Sequence, residues 1–220
     1  MRKLVAVLAV ALLLTAFGCG SSSTGPSGND DYLPLAVGNQ WSYSLNGYIT
    51  FTDADTALVT GSNFNIITGT TTHQQGFELY AMRDSLITII TTPDTTFTTT
   101  KVTMNYIQET DTELRLYDDT TTTDYEIFIK LPVTLNDSWT PETDDPTITR
   151  TVLSLSASAI VPAGTYSSCA NLRDTDSEEP NFYFDWFFAR GTGVVKYVTN
   201  YSDSEGTVFM TYDLLSSTIN

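Results

Sequence analysis

The 220-residue chain carries 26 acidic side chains against 10 basic ones, a formal net charge of −16 and a sequence pI near 4.1, with 41% of its residues hydrophobic. Carboxylates in that excess repel phosphate backbones and anionic headgroups, so nucleic acid is excluded as a partner and neutral, cationic or apolar partners are favoured. Two cysteines and a single histidine leave little material for a disulfide framework, a zinc site or a Ser-His-Asp arrangement.

The chain opens Met1-Arg2-Lys3, runs through apolar residues from Leu4 to Leu14, and reaches Thr15-Ala16-Phe17-Gly18-Cys19. This is the charged, apolar and small-residue order of an export signal, and the apolar run is too short to span a bilayer comfortably. Ala16-Phe17-Gly18-Cys19 resembles the bacterial lipobox, which usually reads Leu, then Ala or Ser, then Gly or Ala, then Cys; it departs from that pattern at Ala16 and Phe17. The resemblance implies cleavage after Gly18 and acylation of Cys19, with residues 1–18 removed as signal peptide. Residues 19–31 contain no large apolar side chain and read as a flexible tether. Once Cys19 is acylated, Cys169 is the one thiol left, so no internal disulfide can form.

From Trp41 onward Val, Ile, Thr, Tyr and Phe recur in short runs, and no apolar period near 3.6 persists. Strands are expected at 41–45, 63–68, 77–82, 86–91, 96–108, 113–117, 125–130, 147–160, 165–173, 182–188, 193–201 and 207–215. Turn chemistry at Pro93-Asp94, Asp118-Asp119, Asn136-Asp137 and Asp203 to Gly206 separates them at hairpin spacing. Over 147–160, Leu153, Leu155, Ala157 and Ala159 alternate with Ser154, Ser156 and Ser158, which reads as one buried and one wet face.

An ungapped internal similarity pairs Leu33-Pro34-Leu35-Ala36-Val37-Gly38-Asn39-Gln40-Trp41-Ser42 with Leu131-Pro132-Val133-Thr134-Leu135-Asn136-Asp137-Ser138-Trp139-Thr140. Each segment reads as Leu-Pro, a tight turn, and a Trp opening a strand, so residues 32–220 are expected to form one domain with a two-part repeat at 33–42 and 131–140. Together with Val161-Pro162-Ala163-Gly164-Thr165-Tyr166 and Gly191-Thr192-Gly193-Val194-Val195-Lys196, these residues resemble motifs of bacterial envelope lipoproteins to which no activity is assigned. The order of elements is more distantly similar to curved-sheet lipoprotein carriers, whose sheets are plugged by helices that this chain does not offer. The first resemblance implies a membrane-anchored envelope protein. Gly20 and Ser21, in place of an Asp beside Cys19, favour the outer membrane by analogy.

Candidates for chemistry are few. His73 sits in Thr70 to Gly76, a polar stretch read as a surface hairpin tip, and no Gly-x-Ser-x-Gly elbow is present. Asp174, Asp176 and Glu178 have the alternate-acid spacing of calcium loops, but Glu179 stands where such a loop needs glycine, leaving only a looser calcium site to set against a solvated acidic loop. Cys169 has no basic neighbour within three residues and reads as a packed thiol. In Phe182-Tyr183-Phe184-Asp185-Trp186-Phe187-Phe188 an acid is flanked by rings; a buried Asp185 would need Arg173 or Arg190 as a partner.

These readings converge on an all-β, antiparallel, single-domain meander, either a strongly curved sheet or an open barrel or sandwich, with little or no helix. The expected role is a non-catalytic module without cofactor that holds an apolar or carbohydrate ligand along Tyr183, Asp185, Trp186, Phe187 and Phe188. The alternative is a structural protein that meets other envelope proteins through exposed strand edges. A hydrolase, third, requires two acids converging in a cleft.

Overall fold

The structure, a computed structural model, describes residues 31–52, 54–142 and 145–220. Cys19, the signal segment 1–18 and the tether up to residue 30 lie outside the described residues. Twelve strands follow one another: β1 Gln40–Phe51, β2 Ala54–Thr72, β3 Glu78–Thr91, β4 Thr96–Glu109, β5 Glu113–Tyr117, β6 Glu126–Lys130, β7 Ser138–Trp139, β8 Ile148–Val161, β9 Gly164–Asp176, β10 Tyr183–Ala189, β11 Gly193–Ser202 and β12 Gly206–Thr218. They form one open antiparallel sheet in the order β6-β5-β4-β3-β2-β1-β12-β11-β10-β9-β8-β7, with no helix among the described residues. Neighbours in the sheet are neighbours in the chain, except where β1 pairs with β12. The two edges, β6 and β7, are also consecutive in sequence.

β1 and β2 run well beyond the expected 41–45 and 63–68, and three further differences have local reasons. The segments expected at 77–82 and 86–91 are one strand, because Arg83-Asp84-Ser85 continues the ladder, Asp84 pairing with both Asn65 and Thr103. The strand expected to open at Trp139 is only the two residues of β7, Ser138–Trp139. The alternation along 147–160 is broken by register shifts after Val152, Ser154 and Ala157, so Leu153, expected inside, is 43% exposed; each bulge moves the following residues to the other face.

The sheet curls around its buried face. At Gly47 and Gly61 a Cβ would lie 2.1 Å from the Phe209 carbonyl oxygen and 2.0 Å from that of Ile87. Only glycine permits neighbouring backbones to approach so closely, and these two positions lie diagonal to one another across β1 and β2.

The two similar segments build the same backbone device. The Asn39 amide donates to the Ala36 carbonyl and the Asp137 amide to the Thr134 carbonyl, over 3.0 and 3.2 Å, with Gly38 and Asn136 at φ of 92° and 68°. Gly38 then donates to the Ile67 carbonyl while the Ile67 amide donates to Asn39; likewise Asn136 donates to Val152, and the Val152 amide to Asp137. The ladders match beyond the turn: Trp41 pairs with Asn65, which pairs with Asp84, and Trp139 pairs with Arg150, which pairs with Asp174. The turn and these two ladder steps are what the first and second halves of the sheet share. Asn65 and Arg150 occupy equivalent positions, as do Asp84 and Asp174. The two tryptophans are both buried, but Trp139 Nε1 donates to the Ile127 carbonyl over 2.9 Å, whereas Trp41 Nε1 has no protein acceptor.

One seam between the two halves, β12 with β1, is a ladder running from Gln40 to Phe51 with one register shift after Ser42; the other is held mostly by side chains. The Ile127 amide donates to the Pro141 carbonyl over 2.8 Å. Arg150, 1% exposed, donates from Nε and Nη2 to the two oxygens of Asp174, each over 2.6 Å, and from Nη1 to Glu126 Oε1 and the Phe128 carbonyl, each over 2.8 Å. Burial pushes the Glu126 carboxyl above its ordinary range, against the opposing pull of Arg150. Removing one member of such a cluster strands charge in the core. Arg150→Met is expected to cost roughly 3–5 kcal/mol in urea unfolding at pH 7, whereas combining it with Glu126→Leu and Asp174→Leu recovers most of that loss; equal losses in both variants would show that the ions do not hold the seam.

Candidate functional site

The most unusual chemistry on the buried face surrounds Asp84. Strict alternation along β3 sends Met82, Asp84, Leu86 and Thr88 inward. Asn65 stands opposite Asp84 on β2, with Asn63 one step along the same face. Asn63 Nδ2 donates to Asp84 Oδ1, and Asn65 Nδ2 donates to Asn63 Oδ1 over 2.7 Å. On the other side Thr103 pairs with Asp84, flanked by Lys101 and Asn105.

The facing wall is phenolic. Tyr197 and Tyr212 are paired in register with rings stacked at 4.1 Å, and Tyr43 meets Tyr197 edge-on at 6.0 Å while its hydroxyl donates to the Val194 carbonyl over 2.9 Å. Burial holds the Tyr212 phenol above its ordinary range, with the Asp84 charge as the second cause. For Tyr197 burial again leads, followed by the charges of Tyr212, Asp84 and Tyr43. The Tyr197 hydroxyl and the hydroxyls of Thr88 and Thr199 are buried without a hydrogen-bond partner among protein groups.

Desolvation raises the Asp84 carboxyl to about 7, against the smaller lowering effects of the Asn63 hydrogen bond and the Lys101 charge. Exposure is graded: Asn63 and Asn65 are fully buried, Asp84 and Asn105 nearly so, and Lys101 and Thr103 half-buried. Of β4, only Tyr106 to Glu109 pair with β5, so residues 96–105 form a sheet edge with no second neighbour among the described residues. Lys101 and Thr103 on this edge are the half-buried members of the polar wall, and Asn63, Asn65, Asp84 and Asn105 lie beneath them.

The aromatic strand expected to hold a ligand is divided by its own alternation. Trp186 and Phe188 point inward, 1% and 0% exposed, and pack on Phe128. Tyr183, Asp185 and Phe187 lie on the opposite face. Asp185 pairs with Arg173 through two bonds of 2.7 and 2.6 Å, and the same guanidinium covers the Tyr183 ring at 4.5 Å. The five residues do not line one groove, and the inner rings are core.

Asp174 is turned to Arg150 and also accepts from Trp186 Nε1 over 3.3 Å, while Asp176 accepts from the Glu178 amide over 2.8 Å. No group of three potential metal ligands converges among the described residues. His73, expected on the surface, is 1% exposed: it stacks on Phe77 at 4.3 Å, accepts from the Gln75 amide at Nδ1, and reaches the Thr122 carbonyl from Nε2 over 2.8 Å. Its role is to pin the loop between β5 and β6. Cys169 is fully buried, and burial raises its thiol pKa.

Sequence reasoning passed over Asp84, Asn63, Asn65 and Arg150. The signal that could have found them is a polar residue at inward parity within an apolar run, as in Met82-x-Asp84-x-Leu86.

No family model matches the chain, and no curated protein matches it. Two crystal structures are loosely similar. One, described as a candidate exported protein with a YmcC-like fold from Bacteroides fragilis, is 11% identical with a TM-score of 0.38 over 86% of this chain and all of its own. The other, described as a candidate lipoprotein from Parabacteroides distasonis, is 13% identical with a TM-score of 0.39 over 87% of this chain and all of its own. Superposition at this level carries no argument about function.

A carboxyl raised on folding binds its proton more tightly in the folded state than in the unfolded one. The stabilisation is complete below the unfolded value near 4 and is lost as pH rises through about 7. Thermal melts of the wild type should therefore fall over that window relative to Asp84→Asn, by about 4 kcal/mol in total; parallel pH profiles would place the Asp84 carboxyl in a solvated setting.

Proposed function

We propose that this chain is a lipid-anchored lipoprotein of the bacterial cell envelope whose sheet serves as a non-catalytic module binding a small polar ligand, a carbohydrate or a comparable hydrogen-bonding solute, on the Asp84 wall. Anchoring rests on the order of charged residues, apolar run, Gly18 and Cys19 and on the tether that follows. Several acyl chains on one cysteine would exceed the weak hold of a single chain. The outer membrane is the preferred destination, given Gly20 and Ser21 after Cys19.

One observation carries the binding reading: the fully buried Tyr197 hydroxyl lacks a protein hydrogen-bond partner on the wall that faces Asp84. An unsatisfied buried hydroxyl costs about 1–3 kcal/mol, a cost that a bound polar ligand would offset. The aromatic rings and amides around it are the materials with which proteins hold sugars and similar solutes. Against a hydrolase stands the fate of the acids that do converge: Glu126 and Asp174 share the Arg150 guanidinium in the core.

Native mass spectrometry of the chain extracted from its host envelope tests both parts. The expected result is an amino terminus at acylated Cys19 and a co-purifying small mass that is lost in Asp84→Asn. An unmodified amino terminus would remove the anchor. A wild-type mass free of adduct would favour the alternative, contact with other envelope proteins through the free strand edges.

A further inference from the structure

The longest unbroken free margin of the sheet, among the described residues, runs along β4. Thr96 to Asn105 pair with β3 from Thr91 to Met82 without a register shift, and they have no ladder partner on their other side. Free strand edges are commonly guarded by brevity, bulges or proline, because their unpaired amides and carbonyls otherwise template another strand. The other margins are guarded in these ways. β6 and β7 are five and two residues long. β8 beyond Thr151, which β7 does not reach, is broken by three register shifts. Along Thr96 to Asn105 there is neither proline nor bulge, and five of the ten residues are threonine, which suits extended backbone.

This margin is also set apart by its charge. The chain carries 26 acids and a net charge of −16, yet from Ser85 to Asn105 the sole acid is Asp94, in the turn between β3 and β4. The one charge on the margin, Lys101, shares the inward parity of its β3 partner Leu86 and acts on Asp84, so it does not stand in the plane where a further strand would pair. On the outer face Val102 and Met104 are 60% and 37% exposed, and Ile87, 40% exposed, lies diagonal to Val102 on β3. Two copies of so acidic a chain repel each other over most of their surfaces. Along β4 each would meet the other with backbone donors, backbone acceptors and apolar side chains, and with no carboxylate. Independently of the ligand reading above, we infer that β4 is a self-association edge, through which two copies of this chain pair antiparallel about a two-fold axis and join their sheets. An antiparallel strand pair is self-complementary, so one margin supplies both sides of the interface. A register that opposes Lys101 to itself is disfavoured by like charge. One centred on Val102 keeps inward residues against inward ones, sets Val102 against its own copy and Met104 against Thr100, and covers the exposed apolar side chains.

The test is sedimentation of the full chain, extracted from its host envelope in detergent, over a micromolar concentration series, which should show a reversible dimer. Val102→Glu, at an exposed position, adds a carboxylate to both sides of the seam and should weaken the dimer about tenfold or more. Ile160→Glu, at a position 77% exposed on β8, should leave it unchanged. Hydrogen exchange separates the edge from any other contact: amides between Thr96 and Asn105 should slow as the concentration rises, and should not do so in Val102→Glu. A wild type that stays monomeric, a dimer indifferent to Val102→Glu, or concentration-dependent protection confined to other strands would overturn the inference. So would cross-linking through Val102→Cys in the envelope that captures a different protein instead of a second copy, an outcome that assigns the edge to that partner.

Discussion

The Arg150 guanidinium carries the charged contacts that bring the two edges of this sheet together. The curled sheet has two seams, and while β1 and β12 are joined by a continuous ladder, β6 and β7 share none. Arg150 spans that gap with charged bonds to Asp174 on β9 and to Glu126 on β6, and with a bond to the β6 backbone at Phe128. A guanidinium is suited to the place because its planar array of donors can satisfy a carboxylate in bidentate fashion and still reach a second strand. An aliphatic side chain of similar volume would fill the space but would leave the Phe128 carbonyl without this donor. The ion cluster costs desolvation, and its return is geometric: it fixes where one end of a twelve-strand sheet meets the other.

What the clasp encloses is a row of rings. Phe128 meets Trp186 at 5.2 Å, Trp186 meets Phe184 at 4.5 Å, Phe184 stacks on Tyr197 at 5.6 Å, and Tyr197 stacks on Tyr212 at 4.1 Å. The row combines rings two apart on β10, rings on the adjacent strands β10, β11 and β12, and Phe128 reaching in from β6. The row passes from phenylalanine and tryptophan near Arg150 to tyrosine near Asp84, so its polarity increases towards the amides of Asn63 and Asn65. Trp186 belongs to this interior, and the phenolic wall begins where the rings acquire hydroxyls.

The fold was legible where local rules decide, and illegible where parity and distant strands decide. Runs of β-branched and aromatic residues separated by Pro93-Asp94, Asp118-Asp119 and Asp203 to Gly206 read directly as an antiparallel meander, which is the architecture found. Gly38 and Asn136 are matched in sequence and share a left-handed backbone, so the likeness of 33–42 to 131–140 carried structural information. Asp84 was hidden because a charged residue beside Arg83 and Ser85 reads as a turn. That Asp84 points inward follows only from knowing that β3 runs unbroken between β2 and β4. Asp185 and Trp186 misled in the opposite way, since adjacent residues on a strand share rings in sequence and opposite faces in space. His73 appeared exposed because its cover, Tyr117 and the Thr122 carbonyl, comes from a hairpin more than forty residues away.

The two halves of the sheet differ at one matched buried polar position, Asn65 in the first and Arg150 in the second. In the second half an arginine satisfies the carboxylate internally, so that position contributes to closing the seam. In the first half the β12 ladder already closes the seam, and no comparable clasp is required there. Burial raises the Asp84 carboxyl to about 7, against the smaller lowering effects of Asn63 and Lys101, and its ionised form therefore carries a cost near neutral pH. Positions that are costly to the folded state and are not needed for its closure are where binding sites are to be sought, because chains otherwise tend to lose such costs. The seam explains why the cost is tolerable: the half-sheet that carries it is secured by backbone hydrogen bonds on both sides of β1, and these do not depend on the protonation state of a carboxyl.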